Sequence, residues 1–170
     1  DCSYQKRAEK ILSLYLDDYT QEELADCIKN AYGDQFSSTE IAPVVSIHEH
    51  LHMLELWHGP TCAFKDMALQ ILPHFLVKAI KKTGEKAEIV ILVATSGDTG
   101  KAALEGFADV EGTRIIVFYP NGGVSEVQRL QMVTQEGNNT DVIAVNGNFD
   151  DTQNGVKKIF TDEALKSKLE

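Results

Sequence analysis

Cysteine is scarce in this chain: Cys2, Cys27 and Cys62 are the three among 170 residues. Their odd number and wide separation exclude a disulfide framework, match no zinc-ligand spacing and suit a reducing compartment. They read as buried or incidental thiols. Positive charge is also in short supply, with 16 Lys and Arg against 26 Asp and Glu and a formal net charge of -10. That balance excludes the basic face a nucleic-acid partner requires. The charges are spread along the chain without a block of like sign, so no disordered acidic tail is expected. Long apolar runs are missing too. The longest, Ile89 to Ala94, is far too short to span a bilayer, and no charged-then-apolar signal segment opens the chain. These absences predict a soluble, cytoplasmic protein without a membrane or nucleic-acid partner, and the pattern specifies no oligomeric state.

A chain of this length fits one domain, which buries roughly 70% of its unfolded surface and needs no staples. Residues 1–33 read as helical. Ala8, Ile11, Leu12 and Tyr15 follow helical spacing. Thr20 with Glu23 then forms a capping box before Leu24, Cys27, Ile28 and Ala31, and Gly33 supplies the stop. Residues 34–64 change period: Pro43 to Ile47 and His52 to Trp57 are short apolar or alternating runs around a polar turn at His48 to His50, a hairpin. Trp57 is expected in the core.

From Lys65 to residue 170 the alternation becomes regular. A helix through about Lys82, kinked at Pro73, precedes strand Ile89 to Ala94, helix Thr99 to Ala108, strand Arg114 to Tyr119 and a helix near Ser125. Strand Val142 to Val145 and a helix from about Asp150 follow, with Ser125/Gln128 and Asp150/Gln153 at capping-box spacing. Strands apolar at every position mark a parallel sheet covered on both faces, so the fold class is α/β, a three-layer αβα arrangement preceded by two short helices and a hairpin. The chain opens at Asp1 without a methionine and closes at Glu170 within a polar, helix-like stretch from Asp162 that has no stop signal. It is expected to be a piece of a longer protein.

The chemistry concentrates in two places. In His58-Gly59-Pro60-Thr61-Cys62-Ala63-Phe64-Lys65-Asp66, Gly59 and Pro60 break the preceding strand, and Lys65 falls where a long helix begins. The positive end of the helix dipole and the apolar neighbours Ala63, Phe64, Met67 and Ala68 favour a free amine, the form that makes Schiff bases. Asp66 is expected to complement the dipole. One β-α unit later, Ala94-Thr95-Ser96-Gly97-Asp98-Thr99-Gly100 lies at the carboxyl end of a predicted strand, where ligands gather in wound parallel sheets. Gly97 and Gly100 let the backbone approach a ligand, and Ser96 and Thr99 add hydroxyls. Asp98 opposes a dianion, so a carboxylate suits the loop better than a phosphate. The spacing alone equally permits a βα turn in which Asp98 or Thr99 merely caps the helix. His48, His50 and His52 lack a further ligand at metal-binding spacing, and no metal is expected.

The run from His58 to Gln70 resembles the cofactor-lysine segment of threonine synthases, pyridoxal-phosphate (PLP) enzymes of the tryptophan-synthase-β fold group. Further segments match in the same order: Tyr32 to Phe36, Ile41 to Val45, Ala94 to Gly100, Tyr119-Pro120 with Val124-Ser125, Gln128, Gln131-Met132, and Phe149 to Asp151. The resemblance spans most of the chain from Ala31 to Phe160 and a minority of that family's usual length, the mark of a piece of a two-domain enzyme. It implies that Lys65 carries PLP as the internal aldimine and moves protons at Cα and Cβ of a small-molecule substrate. It also implies that Ser96, Gly97, Asp98 and Thr99 hold the substrate carboxylate and border the cofactor, with Asp98 where many of the fold group have Asn. Ser125 and Gln128 are candidates for the substrate phosphate, although the capping box is the simpler account of both. The implied reaction converts O-phospho-L-homoserine and water into L-threonine and phosphate; His58 lines the pocket or hydrogen-bonds its turn. The family's glycine-rich cradle for the PLP phosphate belongs to a later part of the sequence, and the lone pair Gly122-Gly123 does not supply it. Weak or absent PLP binding by this chain alone is therefore expected. The alternatives are a PLP-dependent phospho-lyase or β-replacement enzyme of the same fold group, or a non-catalytic anion-binding α/β module.

Overall fold

A computed structural model describes residues 2–169. The chain forms two compact units, one built from the residues up to Lys86 and one from Ala87 onward. That boundary places Lys65 and the helices after it with the N-terminal unit.

Two helices open the first unit, α1 (Tyr4–Leu12) and α2 (Gln21–Ala31). Thr20 caps α2 as its spacing predicts: Glu23 N–H donates to Thr20 Oγ1 at 3.2 Å while Thr20 N–H donates to Glu23 Oε2 at 2.9 Å. Cys27, Ile28, Ala31, Tyr32, Phe36, Ile41 and Ile71 make the buried core, with Tyr4, Ala8, Leu12, Met67 and Phe75 packed on it. Ile11, within α1, and Tyr15, beyond its end at Leu12, are exposed and not part of the expected buried stripe. Gly33 does not end α2 by a left-handed turn; Tyr32 is the C-cap, and a Cβ at Gly33 would meet Gln35 Oε1 and Lys29 O at 3.2 Å.

Antiparallel strands β1 (Val44–His48) and β2 (Leu51–Leu54) make the expected hairpin, with an irregularity between Ser46 and His48. All their residues are exposed, and Trp57, placed in the core by its composition alone, is 46% exposed. The long helix expected from Lys65 is instead two: α3 (Asp66–Leu69), a single turn, and α4 (Leu72–Thr83). Pro73 lies in the first turn of α4, where its missing N–H costs nothing, so it begins a helix and does not kink one. Gly84, with φ of 70°, ends α4. Lys78–Asp26 at 2.7 Å and Lys82–Glu23 at 2.8 Å join α4 to α2.

The second unit is α/β. It alternates β3 (Ile89–Ala94), α5 (Asp98–Phe107), β4 (Thr113–Pro120), α6 (Glu126–Val133), β5 (Thr140–Val145), α7 (Phe149–Thr161) and α8 (Glu163–Leu169). The strands pair in parallel in the order β3-β4-β5, with Ile91 opposite Ile115 and Val117 opposite Val142. Burial alternates along the central strand: Thr113, Ile115, Val117 and Tyr119 are buried, while Arg114, Ile116 and Phe118 are half-buried. Ala102, Ala103, Leu104 and Phe107 of α5 and Met132 of α6 complete this core. Each large apolar side chain removed from water there contributes roughly 1.5–3 kcal/mol. α7 packs back over β4 and β3. Its cap is Asn148 with Asp151 and not Asp150 with Gln153, because the helix begins two residues earlier than a cap at Asp150 would place it.

Candidate active site

The residues singled out by sequence fall into two groups, one in each unit. In the first unit, Gly59 to Asp66 folds into a turn held by its last residue. Asp66 is fully buried, and its carboxylate accepts the Thr61 N–H at 2.9 Å and the Thr61 Oγ1–H at 2.6 Å. A Cβ at Gly59 would stand 2.4 Å from Asp66 Oδ2, so only glycine fits there. Cys62, at φ of 59°, turns the chain outward and is exposed. Asp66 therefore does more than complement a helix dipole: it is the internal anchor of the turn that presents Lys65.

Lys65 stands at the N-cap of α3, half-buried, with Nζ 4.2 Å from the centre of the Phe64 ring. The desolvating cleft expected of its neighbours is only partly formed, since Phe64 is 57% exposed and Ala68 is exposed. A helix of one turn also carries little of the dipole that a long helix would direct at the amine. From below, the Tyr32 hydroxyl donates to Met67 O at 2.5 Å and tethers α3 to the core. Burial pushes the Tyr32 phenol up, so it stays a donor throughout the ordinary pH range.

His58, at the head of this turn, hydrogen-bonds on both ring nitrogens. Nε2 lies 2.7 Å from Glu55 Oε2 and Nδ1 lies 2.9 Å from Ser37 Oγ, while the Ser37 N–H donates to His58 O at 2.8 Å.

In the second unit, the loop after β3 is folded by Thr95, a residue the sequence reading passed over. Its buried hydroxyl accepts the N–H groups of Gly97 and Gly100, both at 3.0 Å, and donates to Gly97 O at 3.1 Å. Gly97 needs its φ of 152°, and a Cβ on it would meet Gln128 Nε2 at 2.4 Å. Gly100 does not face a ligand, as its spacing suggested; a Cβ there would strike Thr95 at 2.4 Å and Val117 at 2.9 Å, so it serves close helix–sheet packing. Ser96 and Asp98 are exposed at the start of α5. Among the described residues no acceptor is bonded to the N–H groups of Ser96, Asp98 or Thr99. Three free donors therefore stand at or just before the positive end of a ten-residue helix, where the dipole favours negative charge.

Ser125 and Gln128 form the capping box of α6, and Gln128 does one thing more. Its Oε1 accepts the Ser125 hydroxyl at 3.0 Å, which leaves Nε2 to donate to Asp98 Oδ1 at 2.8 Å. The structure thus joins Asp98, Ser125 and Gln128 in one hydrogen-bonded network, with Gly97 packed against the Gln128 side chain. No group of His, Cys, Asp and Glu among the described residues could hold a metal ion, and no described helix is long and apolar enough to cross a membrane.

No protein-family model matches the chain. Threonine synthase of Saccharomyces cerevisiae is 39% identical over 178 aligned residues, covering 98% of this chain and 34% of the yeast protein. Threonine synthase of Pseudomonas aeruginosa is 46% identical over 138 residues, covering 81% of this chain and 29% of that protein. Among solved structures, PLP-bound threonine synthase from Brucella melitensis superposes with a TM-score of 0.88 at 38% identity, covering 98% of this chain and 36% of that one. The chain spans about a third of the length of these two threonine synthases. Identity at this level along nearly all of the chain, with the same fold, makes it a homologue of the threonine synthases over the part of their length that it spans.

Proposed function

We propose that this chain supplies the lysine and the carboxylate loop of a cytoplasmic, PLP-dependent enzyme that converts O-phospho-L-homoserine and water into L-threonine and phosphate. The observation that carries the reading is the 39% identity to a threonine synthase along 98% of the chain; within that span one unit holds Lys65 on a turn anchored by buried Asp66, and the other holds a loop that leaves three N–H donors free at the start of α5. In this reading the Lys65 amine holds the cofactor and then moves protons at Cα and Cβ of the substrate. The N–H groups of Ser96, Asp98 and Thr99 bind and orient the substrate carboxylate. Gln128 fixes the Asp98 carboxylate, and Ser125 fixes Gln128. Most of the polar atoms of Ser125 and Gln128 are engaged in this way, so in this reading their part is to hold the loop.

The residues present fit one end of the cofactor only. Gly122, with φ of 76°, and Gly123, packed against Pro120, form a tight turn and no phosphate cradle. PLP, when bound, supplies an electron sink for the pair left at Cα. The test joins this chain to the remaining two thirds of the yeast relative and measures phosphate release from O-phospho-L-homoserine, the amino acid formed, and the residue labelled by PLP and borohydride. Threonine as product, a label on Lys65 and loss of turnover in Lys65→Ala are expected. A label elsewhere, or phosphate release that survives Lys65→Ala, overturns the assignment; a keto acid in place of threonine favours a lyase.

A further inference from the structure

We propose that Ser37, His58 and Glu55 form a second reactive site, a serine nucleophile that accepts acyl groups from small activated carboxylic esters. The three side chains stand in the order nucleophile, base and orienter, with Ser37 Oγ 2.9 Å from His58 Nδ1 and His58 Nε2 2.7 Å from Glu55 Oε2. With Glu55 ionised and therefore only accepting, Nε2 carries a ring hydrogen, and in the neutral form of the ring Nδ1 then presents its lone pair to the serine hydroxyl. The backbone bond from Ser37 N–H to His58 O, 2.8 Å, fixes ring and hydroxyl against each other.

Access and shielding differ across the site in the way the chemistry requires. The side chains of His58 and Glu55 are 17% and 20% exposed, whereas Ser37 is exposed and reachable by an acyl donor. Trp57, half-exposed, stands beside the imidazole with ring centres 5.9 Å apart and offers an apolar wall to the acyl chain. Among the described residues no acceptor is bonded to the N–H groups of Ser38 and Thr39, the two donors that follow the nucleophile.

In the step itself, Ser37 Oγ attacks the carbonyl carbon and its proton passes to His58 Nδ1. The bond from carbonyl carbon to leaving group then breaks, and Nδ1 returns the proton to the departing oxygen. The products are an O-acyl serine and an alcohol or phenol. Water, deprotonated by the same ring, later splits the ester to a carboxylic acid and regenerates the serine. Neither PLP nor Lys65 takes part, so the proposal stands apart from the reading above.

The experiment treats the 170-residue chain with p-nitrophenyl acetate without PLP and locates the acetyl group by peptide mass mapping. Acetylation at Ser37 ahead of every lysine is expected, slowed about a hundredfold in His58→Gln, the scale of general-base assistance. It is lost in Ser37→Ala and unchanged in Ser46→Ala, an exposed serine on β1 outside the site. Acetyl groups spread over lysines, or a Ser37 rate equal in His58→Gln, overturn the proposal. Should His58→Gln fail to fold by circular dichroism, Ser37→Cys keeps the ring and its carboxylate. The thiol so introduced must then react with iodoacetamide faster than the exposed Cys62; an equal or slower rate overturns the proposal.

Discussion

A carboxylate as deeply buried as that of Asp66 has to be bonded, and its two bonds to Thr61 show where the turn before Lys65 gets its shape. Asp66→Ala strands the N–H and the hydroxyl of Thr61 away from water, at about 1–3 kcal/mol for each donor left unpaired. Urea denaturation followed by circular dichroism should show a drop of about 3 kcal/mol. Lys65→Ala, at a half-buried position without such bonds, should stay within about 0.5 kcal/mol. Gly97→Ala is expected to cost about 1–3 kcal/mol in the second unit, since φ of 152° strains any other residue and the new Cβ displaces Gln128. The same substitution should free Asp98 from Gln128, which heteronuclear NMR can follow through the Gln128 side-chain amide. Lys65, Gly97 and Asp98 stand out in the sequence because each sits in a short distinctive run. Thr95 and Asp66 do not: a threonine before a glycine loop and an aspartate after a lysine look ordinary until burial shows which donors and acceptors they hold.

Among the elements, the break between α3 and α4 departs furthest from the periodic pattern. Apolar spacing continues from Met67 through Ile80 as though one helix ran across it, yet Pro73 cannot donate to residue 69, and the chain restarts with Pro73 in a first turn where no donor is needed. His74 follows, half-buried, with its pKa lowered by burial and by Lys78 against an opposing effect of Asp26. A histidine held below its ordinary value is protonated more readily in the unfolded chain. Its contribution to stability is therefore whole above about pH 6.5 and is lost as the pH falls from there toward the depressed value. Urea midpoints between pH 7.5 and 5.5 should decline in the parent chain and run flatter in His74→Gln. The capping boxes at Thr20 and Ser125 were readable because their partners lie three residues away; the cap of α7 was missed because Asn148/Asp151 and Asp150/Gln153 offer the same spacing two residues apart.

For the molecule as a whole, a net charge of -10 and the absence of a phosphate cradle among its glycines bear on the cofactor, itself an anion. PLP should bind this chain at least about a hundredfold more weakly than it binds the chimera with the yeast C-terminal part, about 2.7 kcal/mol. Absorption titration of both proteins measures the difference, and equal affinities would contradict the division of the site. The α/β pattern was readable in outline because fully apolar strands between amphipathic helices admit few other arrangements. By itself the sequence determined the order of helices and strands, the parallel sheet and the two runs that carry Lys65 and Asp98, since these rest on periodicity and on neighbours along the chain. Only the tertiary structure decided that Gln128 reaches Asp98 from 30 residues away and that Ser37 meets His58 across 21. It also decided that Gly100 packs inward. A polar atom's partner and a side chain's burial depend on which distant segments the core draws together, and spacing along the chain does not carry that information.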